Sequence, residues 1–541
     1  MYTRDGVRLD ADVYYPEAPG DFPVLLMRQP YGRAIASTVV YAHPRWYAAH
    51  GYIVVIQDVR GRGSSDGVFQ LFAAEIADGA DAVTWAAGLP GSNGQVGMYG
   101  FSYQGMAQLY AAVEPPPALK TICPAMVAYD LYHDWAYEGD AFCLQTNLAW
   151  ALQLAAETAR RQGDEPAFLK LRQAAQRLPL DGAIPAYPAI VHELAADSFY
   201  HDWIRRSKTD PYWQQLSPQT YARQLAALPM LHIGGWFDPL LRGSCNLYQA
   251  MLEQSPRPQQ MIVGPWAHLP WGRRVGEMDY GPDAVSPCDR LQLRWFDYWL
   301  KGIDNGILTE APVRWFELGR NQWLWCDRWP TQKAQGLQLF CHSQGLSGIR
   351  HGQLAPEPPL LERSDVLVHD PWRPVPALGG HASLPAGVWE RSVLDDRSDI
   401  LTYTSEPFAQ ECRLVGSAIV SLHCHADTPS FDVCAVLSDV HPDGRVYPIA
   451  QGYRRIEQLF ALPITLSLQP TCYALPQGHA LRLSLSAACF PAYPVNPGTG
   501  ASTATAHSME AQIITLIVAT ASDQPSGLTL WTLPSAASAT H

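Results

Sequence analysis

The sequence predicts an α/β domain built on a parallel sheet, interrupted by a helical insertion and followed by a β-sandwich domain. Three observations carry this expectation. Non-alternating apolar runs alternate with helical patterns over the first 120 or so residues; β-like runs vanish from about 125 to 220; and short β-rich runs set off by Pro, Gly, Ser and Asp dominate beyond about 330. At 541 residues the chain exceeds what one hydrophobic core organises. The expected division is 1–124 and 223–330 for the two parts of the α/β domain, 125–222 for the helical insertion and 331–541 for the β-sandwich.

Val24–Met27 and Tyr52–Ile56 are apolar without alternation, as strands buried on both faces require. Ala73–Ala87 reads as a helix, Val96–Tyr99 as the next strand, and Gln104–Glu114 as a helix stopped by Pro115, Pro116 and Pro117. In the insertion, Leu144, Leu148, Ala151, Leu152 and Ala155 recur at helical spacing, and a second helical pattern spans Phe168–Leu178. Strand-like runs return at Pro229–Ile233 and Gln260–Val263, and a last helix contains Leu291–Leu300 and ends at Gly302. Ala418–His423, Phe431–Leu437 and Ala480–Ala487 read as sandwich strands, and Pro497–Ser508 as an irregular loop.

Composition excludes several classes. A net charge of −13 without a basic face argues against nucleic-acid binding, and Arg160, Arg161, Lys170, Arg172 and Arg177 are expected on a solvated helix face. Eleven cysteines without a C-x-x-C indicate reduced, mostly buried thiols. His423, Cys424 and His425 lie in an alternating run whose neighbours point to opposite faces, so no metal site is expected there. With Met1 taken as the native start, no secretory signal or membrane span is visible, and a cytoplasmic location without membrane partners is expected.

The chemistry concentrates in Val96-Gly97-Met98-Tyr99-Gly100-Phe101-Ser102-Tyr103-Gln104-Gly105, a strand running through a tight turn into a helix. Such an elbow lifts a serine hydroxyl above a sheet and aims the next backbone N–H, that of Tyr103, at an oxyanion. The second glycine falls three residues after Ser102, and Gln104 occupies the position of the G-x-S-x-G glycine. A serine needs a base and a group that orients it. Asp238 lies just past the end of the Pro229–Ile233 strand and His268 in the same position after Gln260–Val263, at strand carboxyl ends, where catalytic groups of parallel sheets gather. The order Ser102, Asp238, His268 is that of the α/β-hydrolase triad. Gly61-Arg62-Gly63-Ser64-Ser65-Asp66-Gly67 has the wrong spacing for a nucleotide loop and reads as a structural loop near the site.

These residues resemble the family of bacterial cocaine esterase, α-amino-acid ester hydrolases and X-prolyl dipeptidyl peptidases. The resemblance rests on Arg4–Leu9, Arg28–Tyr31, Ile56–Gly61, the Ser102 elbow with Tyr103, Val263–Trp266 before His268, Pro442–Arg445 and Phe490–Tyr493. It implies an α/β-hydrolase domain with an inserted helical cap and a C-terminal jelly-roll-like β-sandwich, and the displaced elbow glycine is the family's norm. It further implies Tyr31 as a second oxyanion donor beside the Tyr103 N–H, and Trp135, Trp150 and Leu240 in the substrate pocket, Leu240 standing where cocaine esterase has an aromatic. Pro239 and Leu240 replace the acid pair that amino-acid ester hydrolases carry after the aspartate, and Glu138 and Asp140 are expected to face solvent.

The expected reaction is hydrolysis of a small-molecule carboxylic ester through an acyl-enzyme, with no metal or cofactor. Acyl transfer, amino-acid ester hydrolysis and amide or peptide hydrolysis by the same triad are the alternatives among enzymes; a non-catalytic binding protein using the β-sandwich is the alternative outside them. A homodimer is compatible with the resemblance, although no interface is legible.

Overall fold

The computed structural model describes residues 1–180, 184–345, 352–457 and 463–534. Its first sheet contains nine strands: β1 (Ala11–Tyr14), β2 (Phe22–Gln29), β3 (Ile53–Asp58), β4 (Ser92–Phe101), β5 (Leu119–Ala125), β6 (Met230–Phe237), β7 (Gln259–Ala267), β8 (Val313–Glu317) and β9 (Gln322–Cys326). They lie in the order β1-β3-β2-β4-β5-β6-β7-β8-β9. Only the edge pairs β1–β3 and β8–β9 are antiparallel; the interior pairs, such as β4–β5 and β6–β7, are parallel.

The apolar runs work because successive side chains enter different cores. Val24 and Leu26 of β2 pack with Val55, Met98, Val83 and Met106. Leu25 and Met27 pack on the other face with Val54, Tyr99, Trp295 and Phe296. Helices α1 (Glu75–Ala87) and α2 (Tyr103–Ala111) supply the first face, and α5 (Cys288–Lys301), ended by Gly302 at φ 69°, supplies the second. Each Val, Leu or Met so buried contributes about 1.5–3 kcal/mol relative to exposure.

The insertion is led by α3 (Leu144–Gln162) and α4 (Glu165–Gln176). Gly163, at φ 75°, closes α3, and the Asp164 side chain then caps α4 by accepting the Ala167 N–H at 3.1 Å. Leu144, Leu148, Ala151, Leu152 and Ala155 are all buried. The expectation of a solvated arginine face holds for Arg160, which pairs with Glu157. It fails for Arg161, whose guanidinium donates to the carbonyls of Gly63 and Ser65 and docks the insertion onto the loop after β3. A two-residue-per-strand hairpin, Tyr137–Glu138 with Ala141–Phe142, also sits in this stretch, where no strands were expected.

Beyond the first sheet, an eleven-stranded and a three-stranded sheet enclose a separate core, to which Leu367, Leu516 and Val518 of the smaller sheet and Leu339, Tyr403 and Leu483 of the larger contribute. In the larger sheet β10 (Phe431–Val440) pairs antiparallel with β11 (Val446–Ile456) and β13 (Ala480–Ser486). Strand β12 (Thr471–Leu475) fastens this domain to the first: the Leu318 N–H donates to Cys472 O at 2.9 Å and the Ala474 N–H to Leu318 O at 2.8 Å. Gly319 is required there, since a Cβ would sit 2.2 Å from Ala474 O. Cys424 is buried and His425 exposed, on opposite faces of one strand. All eleven cysteines are free thiols, eight of them buried. Among the described residues, no helix is long and apolar enough to cross a membrane.

Candidate active site

Strand β4 ends directly below Ser102, which caps α2 at φ 60° and ψ −126°. A non-glycine residue in that region carries strain of order 1–3 kcal/mol, so the surroundings must hold it. They do so through the Ser102 N–H, which donates to Ala125 O at 2.9 Å, and Ser102 O, which accepts the Met106 N–H at 2.9 Å. The odd glycine spacing has a steric cause. A Cβ on Gly105 would lie 2.5 Å from Val127 Cγ1 and 2.7 Å from Ala125 O, so the third residue of α2 is where the helix meets the end of β5. Gln104 fits because its side chain folds back, its Oε1 accepting the Phe101 N–H at 3.3 Å.

Tyr103 divides its roles. Its side chain is buried, the hydroxyl donating to Glu75 Oε1 at 3.1 Å while Glu75 is ion-paired with Arg28. Its backbone N–H opens α2, where helix geometry offers no intrahelical acceptor.

Asp238 is the first residue after β6 and His268 the first after β7. Asp238 is fully buried, and its Oδ1 lies 2.7 Å from His268 Nδ1, leaving Nε2 as the ring's other nitrogen. Phe101 packs on the imidazole with ring centroids 5.4 Å apart. From the β-rich domain, Gln469 Nε2 donates to the Asp238 backbone oxygen at 2.7 Å.

Tyr31, two residues past β2, has its hydroxyl oxygen occupied by the Trp150 indole N–H at 3.1 Å, so its own proton is free for another acceptor. Burial pushes this phenol up to about 12, against the hydrogen-bonding influence of Trp150 and Ser102 and the charge of Arg62, so it remains a donor at neutral pH. Trp150 in turn stacks on Trp135 at 5.0 Å and 24°.

One cavity of about 1060 Å³ joins these groups. Tyr31, Ser102 and His268 meet Trp135, Trp150 and Leu240 on its wall, and His381, Leu384 and Trp389 of the C-terminal part complete it. Asp238 and the Tyr103 side chain lie behind the wall rather than on it.

Two features escaped sequence reading. Glu138 does not face solvent: it is buried, paired with Arg242 at 3.0 Å and His381 at 2.8 Å, and accepts the Tyr493 hydroxyl at 2.5 Å. Burial alone would raise its carboxyl, but Arg242 and His381 outweigh it and hold the group at about 2. Asp140, by contrast, is surface-lying and paired with Lys208. The cavity segment His381–Trp389 carries no motif, and its role depends wholly on how the domains dock.

A serine at a strand-to-helix elbow, followed by an acid and a histidine at later strand ends of a mainly parallel sheet, defines a serine hydrolase of α/β-hydrolase architecture. Comparison with known proteins agrees. Residues 5–270 match the family model described as X-Pro dipeptidyl-peptidase (S15 family), and residues 305–528 match the X-Pro dipeptidyl-peptidase C-terminal non-catalytic domain. The chain is 28% identical to cocaine esterase of Rhodococcus sp. (strain MB1 Bresler), over 92% of this chain and 91% of that protein. Solved structures of the same fold include an aminopeptidase from a marine sediment Thaumarchaeota archaeon, with TM-score 0.83 and 22% identity. They also include an α-amino acid ester hydrolase, with TM-score 0.79 and 21% identity; each likeness covers 98% of this chain and 95% of the other. The chain thus carries an S15-family X-Pro dipeptidyl-peptidase domain followed by an X-Pro dipeptidyl-peptidase C-terminal domain, and it is a homologue of cocaine esterase.

Proposed function

We propose that this protein hydrolyses carboxylic esters of small molecules through an acyl-enzyme on Ser102. The observation that carries this reading is the 2.7 Å contact between His268 Nδ1 and a fully buried Asp238, with His268 and Ser102 facing one cavity. In the reaction, His268 Nε2 takes the Ser102 proton as Oγ attacks the carbonyl carbon. The Tyr31 hydroxyl and the Tyr103 N–H stabilise the resulting oxyanion. His268 then returns the proton to the departing alkoxide, which leaves as the alcohol. A water molecule repeats the sequence on the acyl-serine: its proton goes to His268, its oxygen to the acyl carbon, and Ser102 recovers its proton as the acid is released. Asp238 holds the imidazole in the tautomer with Nε2 free and stabilises it when protonated.

The cavity wall favours esters over peptides. Glu157 is the carboxylate on that wall among the described residues, and it is engaged by Arg160. Glu138, which could have met a substrate ammonium, is committed to Arg242 and His381. Trp135, Trp150 and Leu240 instead offer apolar surface to an acyl or alcohol group.

The test is hydrolysis of p-nitrophenyl esters of increasing acyl length by the wild type and by Ser102→Ala, alongside X-Pro dipeptide anilides. Ester turnover that disappears in the variant is the expected result. Undiminished turnover in Ser102→Ala, or faster cleavage of the anilides than of any ester, overturns the reading.

A further inference from the structure

A second group of chemically competent side chains lies in the β-rich domain, outside the cavity. Asp439 is the penultimate residue of β10, His441 stands in the turn from β10 to β11, and His479 in the turn from β12 to β13. The Asp439 carboxylate is 1% exposed, while the His441 and His479 side chains retain 22% and 15%. His479 Nδ1 lies 2.8 Å from Asp439 Oδ1, and His441 Nε2 lies 3.4 Å from Asp439 Oδ2. One ligand atom from each of the three falls within 4.8 Å of the others.

We propose that Asp439, His441 and His479 form a binding site for a divalent metal ion of the zinc class. Two imidazoles crowded onto one buried carboxylate, with ring centroids 4.4 Å apart, repel each other if both are protonated. As neutral ligands they share an ion without that conflict. Imidazole nitrogen and carboxylate oxygen are the donors that zinc and its first-row neighbours select, whereas calcium and magnesium call for more oxygen ligands than one carboxylate supplies. With metal–ligand bonds of about 2.0–2.2 Å, tetrahedral donors stand roughly 3.3–3.5 Å apart; the carboxylate oxygens now lie 2.8 and 3.4 Å from the two imidazole nitrogens, so small side-chain rotations would bring the three donors around one ion.

Support behind the ligands is built in. The Tyr473 hydroxyl donates to Asp439 Oδ2 at 2.7 Å and fixes the carboxylate, the kind of outer contact that orients metal ligands. The neighbouring cation, Arg445, is engaged by Asp443 at 2.7 Å. Three protein ligands leave the fourth position to water on the exposed side of the histidines. None of the three lines the ester-binding cavity, so the ion would clamp two turns of the sheet rather than take part in hydrolysis.

The experiment uses the full-length protein, stripped with a chelator, and the His441→Ala/His479→Ala double variant. Zinc uptake is measured by equilibrium dialysis and cobalt(II) uptake by its visible d–d absorption. The expected result is one more equivalent of zinc per chain in the wild type, with a tetrahedral cobalt spectrum that the double variant lacks. Tyr473→Phe should bind zinc about 10–100-fold more weakly. Retained ester hydrolysis shows that the variants are folded. Failure of the wild type to take up zinc, or equal uptake by the folded double variant, overturns the proposal.

Discussion

The Trp150 indole N–H donates to the Tyr31 hydroxyl oxygen across 3.1 Å, tying α3 of the insertion to the loop after β2. This contact orients Tyr31: the indole N–H fills one acceptor position of the hydroxyl oxygen and fixes the phenol where its own proton can be donated. The insertion therefore orients a donor that belongs to the α/β domain.

Tyr31→Phe removes that donor and leaves the ring. Loss of one oxyanion contact corresponds to about 2.7–4 kcal/mol, so kcat should fall by roughly 10²–10³ with little change in KM. Steady-state kinetics on a p-nitrophenyl ester decides this; a decrease below threefold removes Tyr31 from the mechanism.

Asp238→Asn keeps the volume but presents His268 with the wrong hydrogen-bonding partner. A loss of kcat approaching about 10⁴ is expected. Burst kinetics with a p-nitrophenyl ester should show acylation slowed, and a normal burst would contradict the role given to Asp238.

Gly105→Ala tests the steric origin of the elbow spacing. Alanine favours a helix by up to about 1 kcal/mol, but its Cβ would stand 2.5 Å from Val127 Cγ1 and 2.7 Å from Ala125 O. Overpacking of this kind costs about 1–3 kcal/mol, so the clash prevails and the melting temperature should drop. An unchanged melting temperature would mean that α2 can shift away from β5 freely.

Glu138 gives a pH signature. Its carboxyl lies at about 2, below its ordinary value near 4.5, so it contributes stability above pH 4.5 that is lost as pH falls toward 2. The shift corresponds to on the order of 3 kcal/mol. Urea unfolding of the wild type and Glu138→Gln at pH 5 and pH 3 should show the gap between them narrowing on acidification. A gap that stays constant would mean that the carboxylate charge contributes nothing.

Much of this architecture is written locally. Val24–Met27 and Tyr52–Ile56 announce buried strands because both faces of their sheet are covered, and the period-3.6 apolar pattern of Leu144–Ala155 announces α3. Ser102, Asp238 and His268 are legible because each follows a recognisable strand. What could not be read was anything decided between domains. Glu138 sits in a polar-looking Tyr-Glu-Gly-Asp stretch, and only docking brings Arg242, His381 and Tyr493 around it from three distant segments. Strand β5, with Lys120 and Thr121 diluting its apolar character, also gave too weak a pattern.

The hydrogen bond from Gln469 to the Asp238 backbone oxygen gives the β-rich half of the chain a hold on the acid of the other half. The two halves are thus coupled at the acid of the triad. A gene truncated before the second domain would encode a sheet with its serine and histidine in sequence but without the outside anchor for its acid, and recombination among relatives should exchange the Gln469 turn and the Asp238 loop together.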